Sequence, residues 1–162
     1  MTAGSCRVVF DTNILVSAHF WKGPPYRCML AVESGLATLI MSGPILTEFS
    51  EKLTDKFGVS KSEVDSIVER WATRAELASI EGKGGWVPAD PEDDKFIETA
   101  LVGGAAIIVL GDRHLLAVGM AGNLSPRVRP PARAAAHVSD LTKTGIARPG
   151  YTEPQRGPWR IN

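Results

Sequence analysis

Short apolar runs alternate along the first 110 residues with segments whose apolar residues recur at helical spacing. Runs of β-branched and aliphatic residues, typical of buried strands, are VVF at 8–10, LATLIM at 36–41 and AAIIVL at 105–110. ELASI at 76–80 predicts one more short strand. Strands alternating with helices predict an α/β fold, a three-layer sandwich with a mostly parallel central sheet.

Polar residues and glycines predict where the helices begin and end. Ser42 is suited to cap a helix that carries Ile45, Leu46, Phe49 and Leu53, and SKSE at 60–63 is a capping box. Asp90 is placed as the cap of a later helix, which Gly103 and Gly104 end. The capping box begins a helix through Val64, Ile67, Val68 and Trp71, and the remaining helices are predicted at 12–20 and 26–34.

The periodic pattern fails from Gly122 onward, where prolines, arginines, glycines and alanines dominate. We therefore divide the chain into a domain at 1–121 and an irregular, Arg- and Pro-rich tail at 122–162, with a short helix near 132–141 as its one candidate element.

The formal net charge of zero hides an asymmetry between these two parts. Residues 1–120 carry 11 Lys and Arg against 16 Asp and Glu, a charge of −5, whereas residues 121–162 carry 7 against 2, a charge of +5. An acidic body can hold cations and a basic tail can bind a polyanion, for which Arg127, Arg129 and Arg133 are closely spaced. The alternative is a solvated chain end without a binding role.

Length and cysteine content narrow the class of protein. A chain of 162 residues is long enough for one domain with a real core, and none of its apolar runs is long enough to span a membrane. The two cysteines do not indicate a disulfide framework, and no signal-peptide pattern opens the sequence. We expect a cytoplasmic protein without a membrane partner.

Two predicted strands end on an aspartate. Asp11 follows VVF, and Asp112 follows AAIIVL and Gly111. The carboxyl ends of parallel strands share one edge of the sheet, where ligands of α/β folds bind. Asp11 is equally suited to cap the helix that follows it, so position alone leaves both roles open.

A second group of acids begins the helix before AAIIVL. Asp93 lies three and four residues before Phe96 and Ile97 and so shares their face, whereas Asp94 is expected further round. Carboxylates gathered at one edge would repel each other, and a hard divalent cation such as Mg²⁺ or Mn²⁺ would offset that repulsion. The alternative is that Asp93 and Asp94 only interact favourably with the helix dipole, each interaction being worth about 0.3–1 kcal/mol.

Several blocks in order resemble the PIN domain family, in its branch of toxins from toxin–antitoxin systems. They are VVFDTNILVSA, SGPILTEFSEKL, DKFGVSKSEV, DPEDDKFIETAL and AAIIVLGDRHLL, and together they cover about residues 5–120. The resemblance implies an acidic quartet of metal-binding and catalytic residues at Asp11, Glu48, Asp93 and Asp112. The helical pattern alone places Glu48 at the edge of an apolar stripe and leaves open whether it faces solvent.

We assign the substrate-contacting positions beside this quartet to Thr12, Asn13, Arg113 and His114. His114 is alternatively a residue that only caps or packs. Two departures from the family pattern stand out: Leu110 occupies a position where Thr or Ser is frequent, and the Arg- and Pro-rich tail replaces any clear form of the last strand and helix.

The resemblance implies a metal-dependent ribonuclease that cleaves single-stranded RNA with Mg²⁺ or Mn²⁺, acts as a toxin neutralised by an antitoxin, and forms a homodimer. A second possibility is a module that keeps the fold for binding RNA or protein and has lost catalysis. A phosphoacceptor receiver domain is a third, but it needs a lysine after a later strand, and none follows LATLIM or AAIIVL.

Overall fold

A computed structural model describes residues 5–82, 94–110 and 127–136, the last range without residue 135. Its helices are α1 Thr12–Phe20, α2 Pro24–Glu33, α3 Gly43–Asp55, α4 Lys61–Arg74 and α5 Asp94–Gly103. Its strands are β1 Cys6–Phe10, β2 Ala37–Ser42, β3 Glu76–Ala78, β4 Ile107–Val109 and β5 Arg127–Arg129.

The strands form one sheet in the order β3-β2-β1-β4-β5, and each neighbouring pair is parallel. In the central strand, Val8, Val9 and Phe10 are all at most 2% exposed. Since successive side chains of a strand point to opposite faces, both faces of the sheet are covered, as expected for a parallel sheet between helices. The predicted α/β sandwich is confirmed.

The apolar residues that predicted α3 and α4 are the ones that the two helices bury against each other. Phe49 of α3 and Trp71 of α4 are fully buried and meet edge to face, with ring centroids 5.8 Å apart. Ser60 caps α4 by accepting a hydrogen bond from the Glu63 N–H at 3.4 Å, which confirms one half of the capping box.

Glycine ends α5 for two physical reasons. A Cβ at Gly103 would overlap the Ile40 side chain, and Gly104 adopts φ 65°, a left-handed conformation that favours glycine. The Gly103 carbonyl accepts hydrogen bonds from Arg7 Nε at 3.0 Å and Nη2 at 2.7 Å. The end of α5 is thereby tied to β1.

The tail was predicted to be irregular from residue 122 apart from a short helix near 132–141, and this prediction is wrong for residues 127–129. Arg127–Arg129 form β5, which pairs with β4 in the register Ile108↔Val128, and a helical turn follows at 131–134. Ala134 is only 2% exposed, and Cys28 Sγ donates to the Pro131 carbonyl at 3.4 Å. Within the described part of the chain, β5 is therefore the outer strand beside β4, and a domain that ended at residue 121 would lack it.

Within the described ranges, no helix combines the length and apolar character needed to cross a bilayer. Cys6 and Cys28 are both buried free thiols, and burial raises the pKa of Cys6 above its usual value.

Candidate functional site

Asp11 lies at the carboxyl edge of the sheet, between the two central strands. Its N–H donates to the Val109 carbonyl at 3.1 Å, which extends the pairing of β1 with β4 by one step. Its carboxylate Oδ1 accepts a hydrogen bond from the Ile14 N–H at 2.7 Å and caps α1. The residue is 4% exposed. The cap is therefore real, and it fixes a buried carboxylate at the place where the sequence predicts a site.

Thr12 connects this edge to Glu48 on α3. Thr12 Oγ1 donates to Glu48 Oε2 at 2.7 Å and accepts from Lys52 Nζ at 2.8 Å. Lys52 Nζ also donates to Asn13 Oδ1 at 3.0 Å. Glu48 is thus turned toward the amino end of α1, which answers the question that its helical position left open.

Lys95 of α5 approaches Glu48 from the other side. Its Nζ lies 3.3 Å from Glu48 Oε1 and 5.2 Å from the centroid of the Phe96 ring. Sequence reasoning did not identify Lys52 or Lys95. The spacing of Lys52, four residues after Glu48 on one helix face, was a usable signal, whereas the approach of Lys95 depends on how α5 packs against α3.

Asp94 corrects one expectation of the sequence analysis. It was expected further round the helix than the buried face, but it is 7% exposed at the start of α5. The spacing rule that aligned Asp93 with Phe96 also aligns Asp94 with Ile97, which lies three residues later and is buried. Asp94 therefore joins the candidate acids of this region.

Ser42 and Thr99 hold α5 against the carboxyl end of β2. Thr99 Oγ1 donates to Ser42 Oγ at 2.8 Å, and both side chains are fully buried. Ser42 is the residue before α3, as predicted, but its side chain makes no hydrogen bond to the helix backbone. The hydroxyl predicted as a cap joins two elements of the site instead.

Four of the predicted site residues lie outside the described part of the chain: Asp93, Asp112, Arg113 and His114. Their assignment stays a prediction. Across residues 5–82, 94–110 and 127–136, no group of three or more His, Cys, Asp or Glu side chains is arranged to hold a metal ion. Asp93 and Asp112, two of the four acids proposed as ligands, lie outside these ranges.

The donors that are described fit a hard divalent cation. Asp11 and Glu48 offer carboxylate oxygens, the ligand type that Mg²⁺ and Mn²⁺ prefer. Glu48 already attracts a cation, since the ammonium group of Lys95 lies against it. The Glu48 carboxylate would then be shared between Lys95 and a metal ion.

Residues 7–114 match the family model described as PIN domain. This range includes the positions of all four predicted acids, namely Asp11, Glu48, Asp93 and Asp112. A search of curated proteins gave no match.

Proposed function

Because the chain belongs to the PIN domain family, whose members are generally nucleases that use divalent metals, we propose that it is a Mg²⁺- or Mn²⁺-dependent ribonuclease acting on single-stranded RNA. One observation carries the proposal. Thr12 links the Glu48 carboxylate to the amino end of α1, immediately beside Asp11 at the carboxyl edge of the sheet. This is the edge at which α/β folds bind their ligands.

The metal would be held by Asp11, Glu48, Asp93 and Asp112, and buried Asp94 is a further candidate. A bound Mg²⁺ or Mn²⁺ lowers the pKa of an attacking water and offsets charge on the phosphate. Thr12 orients Glu48 through its hydrogen bond, and the cap to Ile14 orients Asp11. Positioning hydrogen bonds of this kind commonly affect metal affinity or activity by about 10–100-fold.

Lysines and polar side chains beside the acids would contact the RNA. Lys52 and Lys95 each present an ammonium group at this edge, and the Asn13 amide lies in hydrogen-bond contact with Lys52. A phosphate that entered the site would meet positive charge as well as the metal, which favours binding of a polyanion to an acidic surface.

The proposal extends to biological context. A toxin role with an antitoxin partner and assembly as a homodimer are supported by the resemblance of the sequence blocks to the toxin branch. A cytoplasmic location is supported by two thiols that remain free in the structure.

The test is cleavage of a labelled single-stranded RNA as Mn²⁺ is titrated, with EDTA as the metal-free reference. Glu48→Gln should abolish most cleavage and weaken Mn²⁺ binding measured by calorimetry. Glu51→Gln removes the same charge from an exposed position on the same helix and should leave both unchanged. Equal cleavage with and without EDTA, or equal loss in both variants, would refute the proposal.

A module that has lost catalysis is the second candidate, and Leu110 is the observation that favours it. Leu110 is fully buried and offers no hydroxyl at a position where the family frequently has one. Metal-dependent RNA binding without cleavage would identify this case. The receiver-domain alternative is set aside because the family match is to a PIN domain.

A further inference from the structure

Three aromatic side chains form a cluster at the end of α1 and the end of α3. The Phe20 ring stacks on Phe57 with centroids 4.6 Å apart and an interplanar angle of 24°, and Trp21 lies 5.7 Å from Phe20 and 6.1 Å from Phe57. Trp21 is 59% exposed and Phe57 is 39% exposed. We call Phe20, Trp21 and Phe57 the aromatic platform. Large exposed aromatic surfaces of this kind usually mark a binding site.

The platform lies at the far end of the same two helices that form the candidate site. Thr12 at the start of α1 contacts Glu48 in the middle of α3, whereas Phe20 at the end of α1 stacks on Phe57 just after α3. Eight residues of helix separate Thr12 from Phe20, which is about 12 Å. A single strand with bases stacked at about 3.4 Å each would cover that distance with three to four nucleotides.

Lysines lie along the same route, of which Lys52 is half-buried and Lys56 is exposed. Lys52 contacts Thr12 and Asn13, and Lys56 follows it by four residues, so both lie on one face of α3 that leads toward Phe57. Lys22 directly follows Trp21 and is also exposed. Acidic residues precede Lys52 and Lys56 by one position each, about 100° round the helix, and so form a separate stripe. This arrangement complements a phosphodiester backbone.

The chemistry of the surroundings favours nucleic-acid bases over an apolar protein segment. The platform consists of aromatic rings, which offer flat faces to a base. The adjoining groove between α1 and α4 is mixed, since Phe20, Val59 and Ile67 line it together with polar side chains such as Ser62 and Arg70. The lysines beside the platform, rather than the groove, therefore favour a polyanion over an apolar segment.

We propose that Trp21 and Phe57 stack on bases of single-stranded RNA whose backbone follows Lys52 and Lys56 to the acidic site. The RNA as ligand rests on the proposed function, but the stacking does not depend on cleavage. The surface would fix the position of the cleaved bond relative to bases three to four nucleotides away and would favour substrates longer than a dinucleotide.

The test separates binding from chemistry in the full chain. Affinity for a fluorescent 12-nucleotide oligouridylate is measured in EDTA and in Ca²⁺. Ca²⁺ binds oxygen ligands in a flexible geometry and so replaces Mg²⁺ without its strict octahedral coordination. Trp21→Ala and Phe57→Ala should each weaken binding about 5- to 150-fold, the range for loss of one stacked base. Trp21→Phe should restore most of the affinity. Cleavage of the dinucleotide UpU in Mn²⁺, too short to reach the platform, should be unchanged.

Leu77→Ala is the matched control, since Leu77 is 63% exposed on β3, and it should bind RNA like the wild type. Lys56→Gln should lower the slope of log affinity against log salt by about 0.7. Wild-type affinity in both platform variants, or no oligouridylate binding by the wild type, overturns the proposal. The proposal is also overturned if the wild type sediments as a dimer and the platform variants, which bind RNA less tightly, sediment as monomers. The platform would then be a protein interface. Intact binding without any cleavage would instead refute the nuclease function and leave the stacking in place.

Discussion

Thr12 and Glu48, 36 residues apart in the chain, are joined by a 2.7 Å hydrogen bond from hydroxyl to carboxylate. Thr12→Val keeps the shape of the side chain and removes this bond, so Glu48 loses its orienting partner. We expect metal affinity or cleavage to fall by about 10–100-fold, measured by Mn²⁺ calorimetry and RNA cleavage. Thr12→Ser keeps the hydroxyl and should retain both. Equal loss in the serine variant would mean that the methyl group, through packing, is what matters.

Lys95 would compete for Glu48 with the proposed metal ion. Its Nζ lies 3.3 Å from Glu48 Oε1, and the Lys95 side chain is only 11% exposed. Lys95→Met removes the competing charge and should tighten Mn²⁺ binding in calorimetry. Lys61→Met, an exposed lysine at the start of α4, is the control and should bind Mn²⁺ like the wild type. Weaker binding in the Lys95 variant would contradict the competition.

Asp11 caps α1 and is a proposed metal ligand, and different substitutions separate these two roles. Asparagine is as good a cap as aspartate, so Asp11→Asn should keep the free energy of unfolding without metal while it abolishes tight Mn²⁺ binding. Asp11→Ala loses both functions and should be destabilised by about 0.5–2 kcal/mol in urea unfolding. If the asparagine variant bound Mn²⁺ as tightly as the wild type, Asp11 would be a cap alone.

Truncation after Gly122 should destabilise the fold, because it removes β5 and the buried Ala134. We expect a lower urea midpoint than for the full chain, whereas truncation after Ser139 keeps these elements and should not lower it.

The electrostatic role of the tail is tested with a single substitution, because truncation also removes β5. Arg133 is exposed, so Arg133→Gln leaves the fold intact and should lower the salt slope of RNA binding by about 0.7 if it contacts a phosphate. An unchanged slope would assign that arginine no contact.

His19 should make stability depend on pH. Burial, reinforced by the charge of Arg70, lowers the pKa of His19 in the folded state below its usual value near 6.5. The unfolded chain therefore binds more protons just below pH 6.5, so stability is lost as pH falls through that value and is fully present above it. His19→Gln should lose less unfolding free energy between pH 7.5 and 5.5 than the wild type does. Parallel pH profiles for the two proteins would contradict this assignment.

The elements around Asp11 could be predicted from local pattern alone. The run Val8 to Phe10 is apolar and β-branched, and the predicted helix at 12–20 has the observed bounds, because Asp11 supplies a strong cap. β5 could not be predicted in this way. Its sequence is Arg-Val-Arg, a single apolar residue without a period, and it forms because β4 offers an unpaired edge.

The sequence could propose acids for the candidate site but not the contacts that surround them. Asp11 and Glu48 follow from strand ends and the family resemblance, whereas Lys95 approaches Glu48 only after α5 packs near α3. The four tryptophans are scattered in sequence and predict no stacking surface. Trp21 gains its aromatic neighbour Phe57, 36 positions later, only when α1 and α3 lie side by side.

The position of β1 at the centre of the sheet has a consequence for synthesis of the chain. Val8 pairs with Ile107, about 100 residues later. At roughly 5–20 residues per second, the ribosome delivers that partner about 5–20 s after β1 emerges. Until then the edge of β1 that will meet β4 is open to other strands, and Asp11 lacks the Val109 carbonyl that anchors it. Assembly of the acidic edge is therefore postponed until Val109 has been synthesised, and a chain interrupted before residue 107 would lack the strand on which its first acid depends.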